Sequence, residues 1–262
     1  QTPFGEPSAP ILQGMLGALD LCFLPRHGKG HAHNPSEVPY RANVYALRAL
    51  GVTHLISISA IGSLKEHLPP GTMVLPDQII DRTVQRARTF FEGGVVAHVS
   101  MADPFCASFQ GRIAEAAASV EVDFHRGGAY VCIEGPQFST RAESQLYRSW
   151  NADVIGMTAM PEARLARESG LCYAIVATVT DYDVWHESEE DVSVEAVLQI
   201  LRTNVEHGKQ LVTDLTGKPL PECEDGCAAA PVNAFATHPE TIPVNRRAVV
   251  DLLTSRGREN TA

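Results

Sequence analysis

Two aspartates stand one residue apart at the end of the apolar segment LCYAIVATVTDYD. The apolar part is typical of a buried strand, and its carboxyl end carries Asp181 and Asp183. Side chains two residues apart in a strand point to the same face, so the two carboxylates are expected to lie together. Repulsion raises the pKa of one member of such a pair, which leaves a protonated acid able to donate to a ring nitrogen. A solvated acidic turn is the alternative.

A basic loop, RHGKGH, follows the first predicted strand and contains Arg26 and His27. The planar guanidinium of Arg26 suits a phosphate or a carboxylate. Gly28 and Gly30 permit the backbone to approach an anion closely. A solvated basic loop is the alternative for this motif by itself.

Two further strand ends offer hydroxyl groups. Ser59 and Ala60, before Gly62, provide a hydroxyl and turn amides, although an ordinary turn has the same composition. Thr158 precedes a predicted helix, where its hydroxyl could bind an anion or simply cap the helix. Ligands of open α/β sheets bind beyond the carboxyl ends of the strands, so these residues are expected to face one crevice.

Apolar residues at the same strand ends could form a slot for a flat ring. Phe138, which precedes Ser139, and Met157 are the candidates, but each residue type is more often part of a core. His98, in VVAHVSM, is equally ambiguous, because a partly buried histidine with a satisfied hydrogen bond is the commoner case.

Strand-like and helix-like segments alternate along the chain, which is the pattern of an α/β fold. In the strand predicted at 55–60, Ile56, Ile58 and Ala60 lie on one face, and Ser57 and Ser59 lie on the other. Thr140 and Glu143 have the spacing of a capping box. The other predicted strands cover 20–24, 72–75, 78–80, 129–133, 153–157 and 171–180, and the predicted helices cover about 36–50, 108–120, 140–150, 158–169, 192–215 and 246–254.

The composition excludes some function classes. The chain has 262 residues and a formal net charge of −10, which argues against a general nucleic-acid binder. No apolar run approaches the length of a membrane span, and no signal sequence is visible, so a cytoplasmic location is expected.

Of six cysteines, only Cys223 and Cys227 are close in sequence. Their spacing differs from the usual zinc pairs, so we expect free thiols and no metal, with a local disulfide as the alternative.

The motifs together resemble the 5'-methylthioadenosine phosphorylase family of the trimeric purine nucleoside phosphorylase group. The likeness covers roughly residues 2–215. It implies a single α/β domain with a central mixed β-sheet flanked by helices, a homotrimer, and phosphorolysis of 5'-methylthioadenosine to adenine and 5-methylthioribose 1-phosphate. Phosphate is then a co-substrate, and no metal or organic cofactor is implied. The motifs that carry the resemblance are RHGKGH, SAIGSL, PDQIIDRT, MADPFC, IEGPQFSTRAES, DVIGMT, MPEARLARE and TDYDVW.

The resemblance also implies a role for each candidate residue. Asp183 protonates or hydrogen-bonds N7 of the purine, and Asp181 beside it contacts the 6-amino group, which favours adenine. His98 approaches the thiomethyl side from a neighbouring subunit, and Val194 and Val197 line the thiomethyl pocket. The phosphate contacts implied are Arg26, His27, Ser59, Ala60 and Thr158, and the contacts to base and ribose are Phe138, Ser139 and Met157.

We expect residues 1–217 to form the phosphorylase domain and residues 218–262 to form a carboxy-terminal extension packed on it.

The sequence departs from the family pattern in two places. The family's amino-terminal strand and glycine-rich turn are absent before Gln1, so we expect a truncated sequence, with a true loss of that strand and its phosphate contact as the alternative. Gly156 stands where some relatives carry Asn. The alternatives are a phosphorylase for 6-oxopurine nucleosides or methylthioinosine, and a nucleoside-binding protein without catalysis.

Overall fold

A computed structural model describes residues 1–186 and 194–259, and within these ranges the chain forms one α/β domain around a mixed sheet. The strands are β1 Leu12–Leu16, β2 Leu19–Phe23, β3 His54–Ser63, β4 Met73–Leu75, β5 Gln78–Asp81, β6 Phe124–Arg126, β7 Ala129–Cys132, β8 Val154–Gly156 and β9 Cys172–Asp181. The helices are α1 Tyr40–Ala49, α2 Ala107–Ala117, α3 Arg141–Ser149, α4 Ala159–Glu168, α5 Val194–Thr216 and α6 Val244–Glu259.

Seven strands form the central sheet in the order β5-β7-β8-β3-β9-β4-β6. Strands β3 and β9 are parallel and pair along nearly their whole length, from His54 opposite Cys172 to Gly62 opposite Asp181. Strand β8 runs antiparallel to β3, with Gly62 opposite Ile155. The end of β9 and the start of β8 therefore lie beside the last residues of β3, and the segment after β8 begins further back along β3, near Ser59.

The predicted α/β architecture is confirmed, and each predicted strand and helix is present with shifted ends. Two strands were missed. Strand β6 has only three residues, which is too short to show a period. Strand β1 contains Gly14 and no clear alternation, and it pairs antiparallel with β2 in a separate two-stranded sheet. The first two strands, β1 and the predicted strand β2, are thus not part of the central sheet.

Strand β3 alternates as predicted, but its serine face is the buried one. Ser57 and Ser59 are buried, whereas Ile58 and Ala60 are exposed. A buried hydroxyl must find a hydrogen-bond partner, and both serines do so, with Arg26 and Thr158. The polar face of β3 therefore points into the protein, towards residues brought there by other strands.

The segment after α5 packs onto the same hydrophobic core as the rest of the chain. Val249, Val250 and Leu253 of α6 are buried in the main cluster, together with Ile242 just before the helix. Helix α6 contacts α1. The functional boundary at residue 217 stays a prediction. Across the described ranges, none of the helices is long and apolar enough to cross a membrane.

The capping box predicted for α3 is confirmed. The Thr140 hydroxyl accepts from the backbone N–H of Glu143 at 3.2 Å, and the Glu143 carboxylate accepts from the backbone N–H of Thr140 at 2.8 Å. This reciprocal pair satisfies two of the donors left free at a helix amino terminus. It fixes where α3 begins, immediately after Ser139.

We expect the substitution Thr140→Ala to lower the free energy of unfolding by about 1 kcal/mol, because the helix loses its capping oxygen. Thr140→Ser keeps that oxygen and is the matched control, with an expected change of only a few tenths of a kcal/mol. Urea unfolding of the ligand-free protein measures both. Equal stability of the alanine variant and the wild type would contradict the role of the cap.

Candidate active site

Strand β3 carries polar contacts at two places along its length. Ser57 and Ser59 contact one group of polar residues, and Gly62 lies beside the aspartates at the end of β9. A strand advances about 3.3 Å per residue, so the three residues from Ser59 to Gly62 span roughly 10 Å. We call the first group, formed by Arg26, Ser57, Ser59, Thr158 and Glu162, the cationic end. The second group, formed by Asp181 and Asp183, is the acidic end.

Arg26 is the charged centre of the cationic end. Its Nη1 donates to both oxygens of Glu162, at 3.1 and 3.2 Å, and to the Ser57 hydroxyl. Glu162 also accepts from the Tyr173 hydroxyl at 2.9 Å. Burial lowers the pKa of Arg26, but the Glu162 carboxylate together with Tyr40 and Tyr173 outweighs burial and leaves that pKa raised. The guanidinium is therefore always charged and held in one orientation, while its Nε has no protein acceptor within the described residues.

Two hydroxyls meet next to Arg26. Ser59 Oγ and Thr158 Oγ1 lie 3.0 Å apart, and both residues are buried. Thr158 precedes α4, but its side chain makes no capping hydrogen bond. The capping interpretation of Thr158 is thus wrong, because the hydroxyl turns towards Ser59 instead. The side chain of Ala60 lies exposed on the other face of β3 and can contribute only through its backbone.

Tyr130 is a residue of this region that the sequence did not indicate. It is fully buried, and its hydroxyl has no hydrogen-bond partner of good geometry among the described residues. A Cβ on Gly156 would come within 2.0 Å of that hydroxyl. This close approach explains the glycine at 156, since any larger residue would displace Tyr130. No local motif marks Tyr130, which stands alone in the apolar strand β7.

His27 is half-buried, and its Nδ1 lies 2.8 Å from the carbonyl oxygen of His33. Its ring stacks on that of His31 at 4.1 Å. Burial lowers the pKa of His27, and the positive charge of Arg26 lowers it further. When Nδ1 carries the proton and donates to His33, Nε2 is free to accept or to gain a proton.

The two aspartates lie together at the acidic end, but not through strand geometry. Strand β9 stops at Asp181, and Asp183 adopts a left-handed backbone conformation with φ of 52°. The backbone N–H of Asp183 donates to Asp181 Oδ1 at 2.8 Å, and the Thr180 hydroxyl donates to Asp181 Oδ2 at 2.6 Å. Asp181 thus shapes the turn that presents Asp183. The solvated-turn alternative is wrong for Asp183, which is only 8% exposed.

Burial raises the pKa of Asp183 to about 6, with a further contribution from the Asp181 carboxylate, while the Ser144 hydroxyl opposes the shift. Burial also raises the pKa of Asp181. Asp183 Oδ2 is buried and has no partner within the described part of the chain. The acidic end therefore offers a carboxyl group that carries a proton in part of the molecules near neutral pH and has an unused oxygen.

Arg86 holds the loops around the site together, and no motif in the sequence marks it as a site residue. Its guanidinium is almost fully buried and donates to the carbonyl oxygens of Met157 at 2.6 Å and of Glu134 at 2.6 Å. It also pairs with the Glu134 carboxylate at 3.3 Å. Arg86 thus fixes the strand ends after β7 and β8 relative to each other. Arg86 is one of three arginines in the polar stretch RTVQRART, which is typical of a protein surface, and it was missed for that reason.

The apolar candidates lie in the loops that Arg86 holds. Gly135, with φ of 65°, has no Cβ, and one there would approach Met157 Sδ to 2.5 Å. Met157 is half-buried, and Phe138 is 51% exposed. The hydroxyl of Ser139 is buried without a partner in the described structure. Phe138 is therefore a surface residue of this chain and not part of its core.

The remaining candidates are not gathered with these groups. His98 is exposed, and its backbone N–H donates to the carbonyl oxygen of Ala234 at 2.7 Å. It lines a cleft of about 430 Å³ with Arg88, Met101 and Arg164. Val194 and Val197 belong to the first turn of α5, and their side chains lie outside the described residues.

Comparisons with known proteins are consistent with this geometry. The model of the phosphorylase superfamily matches residues 1–216. An S-methyl-5'-thioadenosine phosphorylase from Geobacter sulfurreducens is 49% identical over 254 residues, which cover 97% of this chain and 89% of the relative. The crystal structure of a methylthioadenosine phosphorylase from an antarctic soil metagenomic library matches with a TM-score of 0.91 and 46% identity, covering 97% of this chain and 90% of that one.

A third relative has been solved with a ligand. The methylthioadenosine phosphorylase from Schistosoma mansoni in complex with adenine matches with a TM-score of 0.84 and 37% identity, covering 90% of this chain and 91% of that one. The family match covers most of the chain, and the relatives are aligned over most of their own length. The chain therefore belongs to the phosphorylase superfamily and, within it, to the family of S-methyl-5'-thioadenosine phosphorylases.

Proposed function

We propose that this protein catalyses phosphorolysis of 5'-methylthioadenosine, giving adenine and 5-methylthioribose 1-phosphate. The observation that carries the proposal is the placement of a cationic end and a protonatable acid roughly 10 Å apart along one strand. Phosphate and a purine base, joined through a ribose, need two such groups at about that separation. The names of the relatives at 45–52% identity agree with the assignment.

The cationic end is proposed to bind phosphate. Arg26 supplies the fixed positive charge, with Glu162 holding its guanidinium in place. Ser59 and Thr158 supply hydroxyl donors, and His27 supplies a ring nitrogen. Ala60 can add only a backbone contact. The hydroxyl of Tyr130, which has no hydrogen-bond partner of good geometry among the described residues, is a further donor that we assign to the same anion.

The acidic end is proposed to bind and protonate the base. A phosphate oxygen forms a bond to C1' of the ribose as the C1'–N9 bond breaks, and the electron pair of that bond moves onto the purine. The proton of Asp183 passes to N7 and neutralises the departing base. Asp181 accepts two hydrogen bonds, and its main role is to position Asp183. Its oxygens retain a lone pair that can accept from the 6-amino group.

The other site residues complete the nucleoside pocket in this proposal. Phe138 and Ser139 lie in the segment between β7 and α3, Met157 directly follows β8, and all three are assigned to base and ribose. His98 is exposed on this chain. This exposure fits the role implied by the resemblance, in which His98 contacts the thiomethyl group of a nucleoside bound in the neighbouring subunit. The roles of Val194 and Val197, the homotrimer, the absence of a cofactor other than the co-substrate phosphate, and the cytoplasmic location stay predictions.

The experiment that tests the function is adenine release from 5'-methylthioadenosine, measured with and without added phosphate. We expect release only with phosphate, together with one 5-methylthioribose 1-phosphate per adenine by mass spectrometry. Inosine and methylthioinosine are the comparison substrates. Release without phosphate would indicate a hydrolase, activity on the 6-oxopurines alone would reverse the assigned specificity, and saturable binding without any release would indicate a binding protein.

The raised pKa of Asp183 generates a pH prediction. Only the protonated acid can donate to N7, so kcat/KM should fall as the pH rises above about 6. Asp183→Asn keeps a hydrogen-bond donor but cannot transfer a proton or titrate. We expect it to lower kcat/KM by about 10²–10⁴-fold and to lose this limb of the profile.

Three controls make the pH result specific. Asp183→Ala should lose at least as much activity with an intact fold by circular dichroism. Asp20→Asn changes an exposed aspartate on β2 and should behave as wild type. The ionisation of phosphate itself affects every variant alike. A limb near pH 6 that persists in Asp183→Asn would remove Asp183 from the proton transfer.

A separate prediction concerns the cationic end. Thr158→Val removes the hydroxyl and keeps the branched shape, so the KM for phosphate should rise by about tenfold or more, since a hydrogen bond to a charged group contributes about 1.5–3 kcal/mol. The KM for methylthioadenosine at saturating phosphate should change much less. Thr158→Ser retains the hydroxyl and is the control. Equal increases in both KM values would mean that Thr158 acts on the pocket as a whole.

A further inference from the structure

Four of the six cysteines converge at one point far from the acidic end. The sulfur atoms of Cys106, Cys172, Cys223 and Cys227 all lie within 4.8 Å of one another. Cys223 and Cys227 are free cysteines, as expected, but two further cysteines lie beside them. Their partners come from positions distant in the sequence, so no spacing rule could indicate the group of four.

We call these four residues the sulfur cluster. Backbone contacts hold its two pairs, Cys106 with Cys172 and Cys223 with Cys227, in place. Cys106 directly precedes α2, and its backbone N–H donates to the carbonyl oxygen of Tyr173 at 2.9 Å. That bond places Cys106 beside Cys172, the first residue of β9. Cys223 and Cys227 lie on a turn through Gly226, whose φ is 63°. Three residues separate them, which is within the range of two to four common in structural zinc sites, so, contrary to the expectation from the sequence, their spacing does not argue against a metal.

We propose that the sulfur cluster binds one zinc ion in a tetrahedral site with four thiolate ligands. Zinc–sulfur bonds of about 2.3 Å require the sulfurs of a tetrahedron to lie about 3.8 Å apart. Cys106 Sγ and Cys223 Sγ are 3.8 Å apart, and no pair exceeds 4.8 Å. A disulfide instead needs one short bond of about 2.05 Å within each pair. The mutual proximity of all four sulfurs favours a shared ion.

The surroundings suit a structural site. Cys106, Cys172 and Cys227 are buried in an apolar cluster with residues such as Phe109 and Leu211, which would keep water from a closed four-ligand site. Four thiolates and zinc carry a net charge of −2, so hydrogen-bond donors must face the sulfurs. Arg167 Nη1 donates to Cys227 Sγ at 3.3 Å, and the positive end of α2 lies at Cys106.

One negative group lies close by and is restrained. Asp225 Oδ2 is 3.3 Å from Cys106 Sγ, but it accepts from the backbone N–H of Ser108 at 2.8 Å and from its hydroxyl at 2.6 Å. Hydrogen bonds from Ser108 thus engage the oxygen nearest the cluster. The Asp225 carboxylate also fixes the turn that carries Cys223 and Cys227 against the start of α2.

The site would join the segment after α5 to the body of the fold. Cys223 and Cys227 belong to that segment, whereas Cys106 directly precedes α2 and Cys172 begins β9. Ligands from separate parts of the chain make metal binding part of the folding free energy. We therefore expect zinc to stabilise the protein and to hold residues 218–235 in place, independently of the proposed catalysis.

The first test is the metal content of the full chain after expression with zinc in the medium and purification under reducing conditions. We expect about one zinc per chain by inductively coupled plasma mass spectrometry, and a lower Tm after removal by a strong chelator. Cobalt substitution should give the absorption bands typical of tetrahedral thiolate coordination. Stoichiometric iron without zinc would overturn the zinc assignment.

Two variants localise the ion. Cys223→Ser changes the least buried of the four ligands and should reduce bound zinc to a small fraction of the wild-type content. Cys22→Ser changes a cysteine outside the sulfur cluster and should leave the zinc content unchanged. If both variants retained zinc equally, the cluster would not be the site.

Thiol titration of the unfolded wild type gives a result that does not depend on any variant. With zinc bound, four thiols should become reactive only after the metal is removed, and the intact mass should correspond to fully reduced cysteines. A mass lower by four hydrogens would show two disulfides in place of the ion, and six reactive thiols without any metal would show that all six cysteines are free. Either result would overturn the proposal.

Discussion

The parallel pairing of β3 with β9 is the constraint on which the rest of the site depends. The register from His54–Cys172 to Gly62–Asp181 fixes which residues of the two strands are neighbours. It shifts at Ile61 and Gly62, where the aspartate turn begins. A Cβ on Gly62 would come within 2.9 Å of Asp181 Oδ1. The acidic end can therefore lie against β3 only because position 62 has no side chain.

The two ends of the site carry their buried ionisable groups in different ways. At the cationic end Glu162 pairs with Arg26, so a permanent guanidinium charge is retained in a largely buried position. At the acidic end no cation pairs with Asp183 among the described residues, and burial raises the pKa of Asp183 instead. The ion pair keeps a positive charge on Arg26, where it can bind an anion. The raised pKa keeps a proton on Asp183, where it can be transferred.

The sequence predicted what is local and missed what is assembled. Asp181, Asp183, Ser59 and Thr158 were found because each lies at or near the predicted end of a recognisable strand, and the capping box of α3 has a spacing rule. Arg86 and Tyr130 were missed because their partners are backbone carbonyls and a glycine from other strands. The buried face of β3 could not be assigned, since isoleucine was the better candidate for burial until Arg26 and Thr158 provided partners for the serines.

Strand β9 also separates the two sites. Cys172 is its first residue and Asp181 its last, and nine steps of about 3.3 Å place them roughly 30 Å apart. Every residue from Cys172 to Thr180 is buried, so the strand is packed along its whole length and has no room to slide. A metal at one end then has no route to alter the electrostatics of Asp183 at the other end. Loss of the ion should act on the stability of the fold, and the chemistry should persist in the molecules that remain folded.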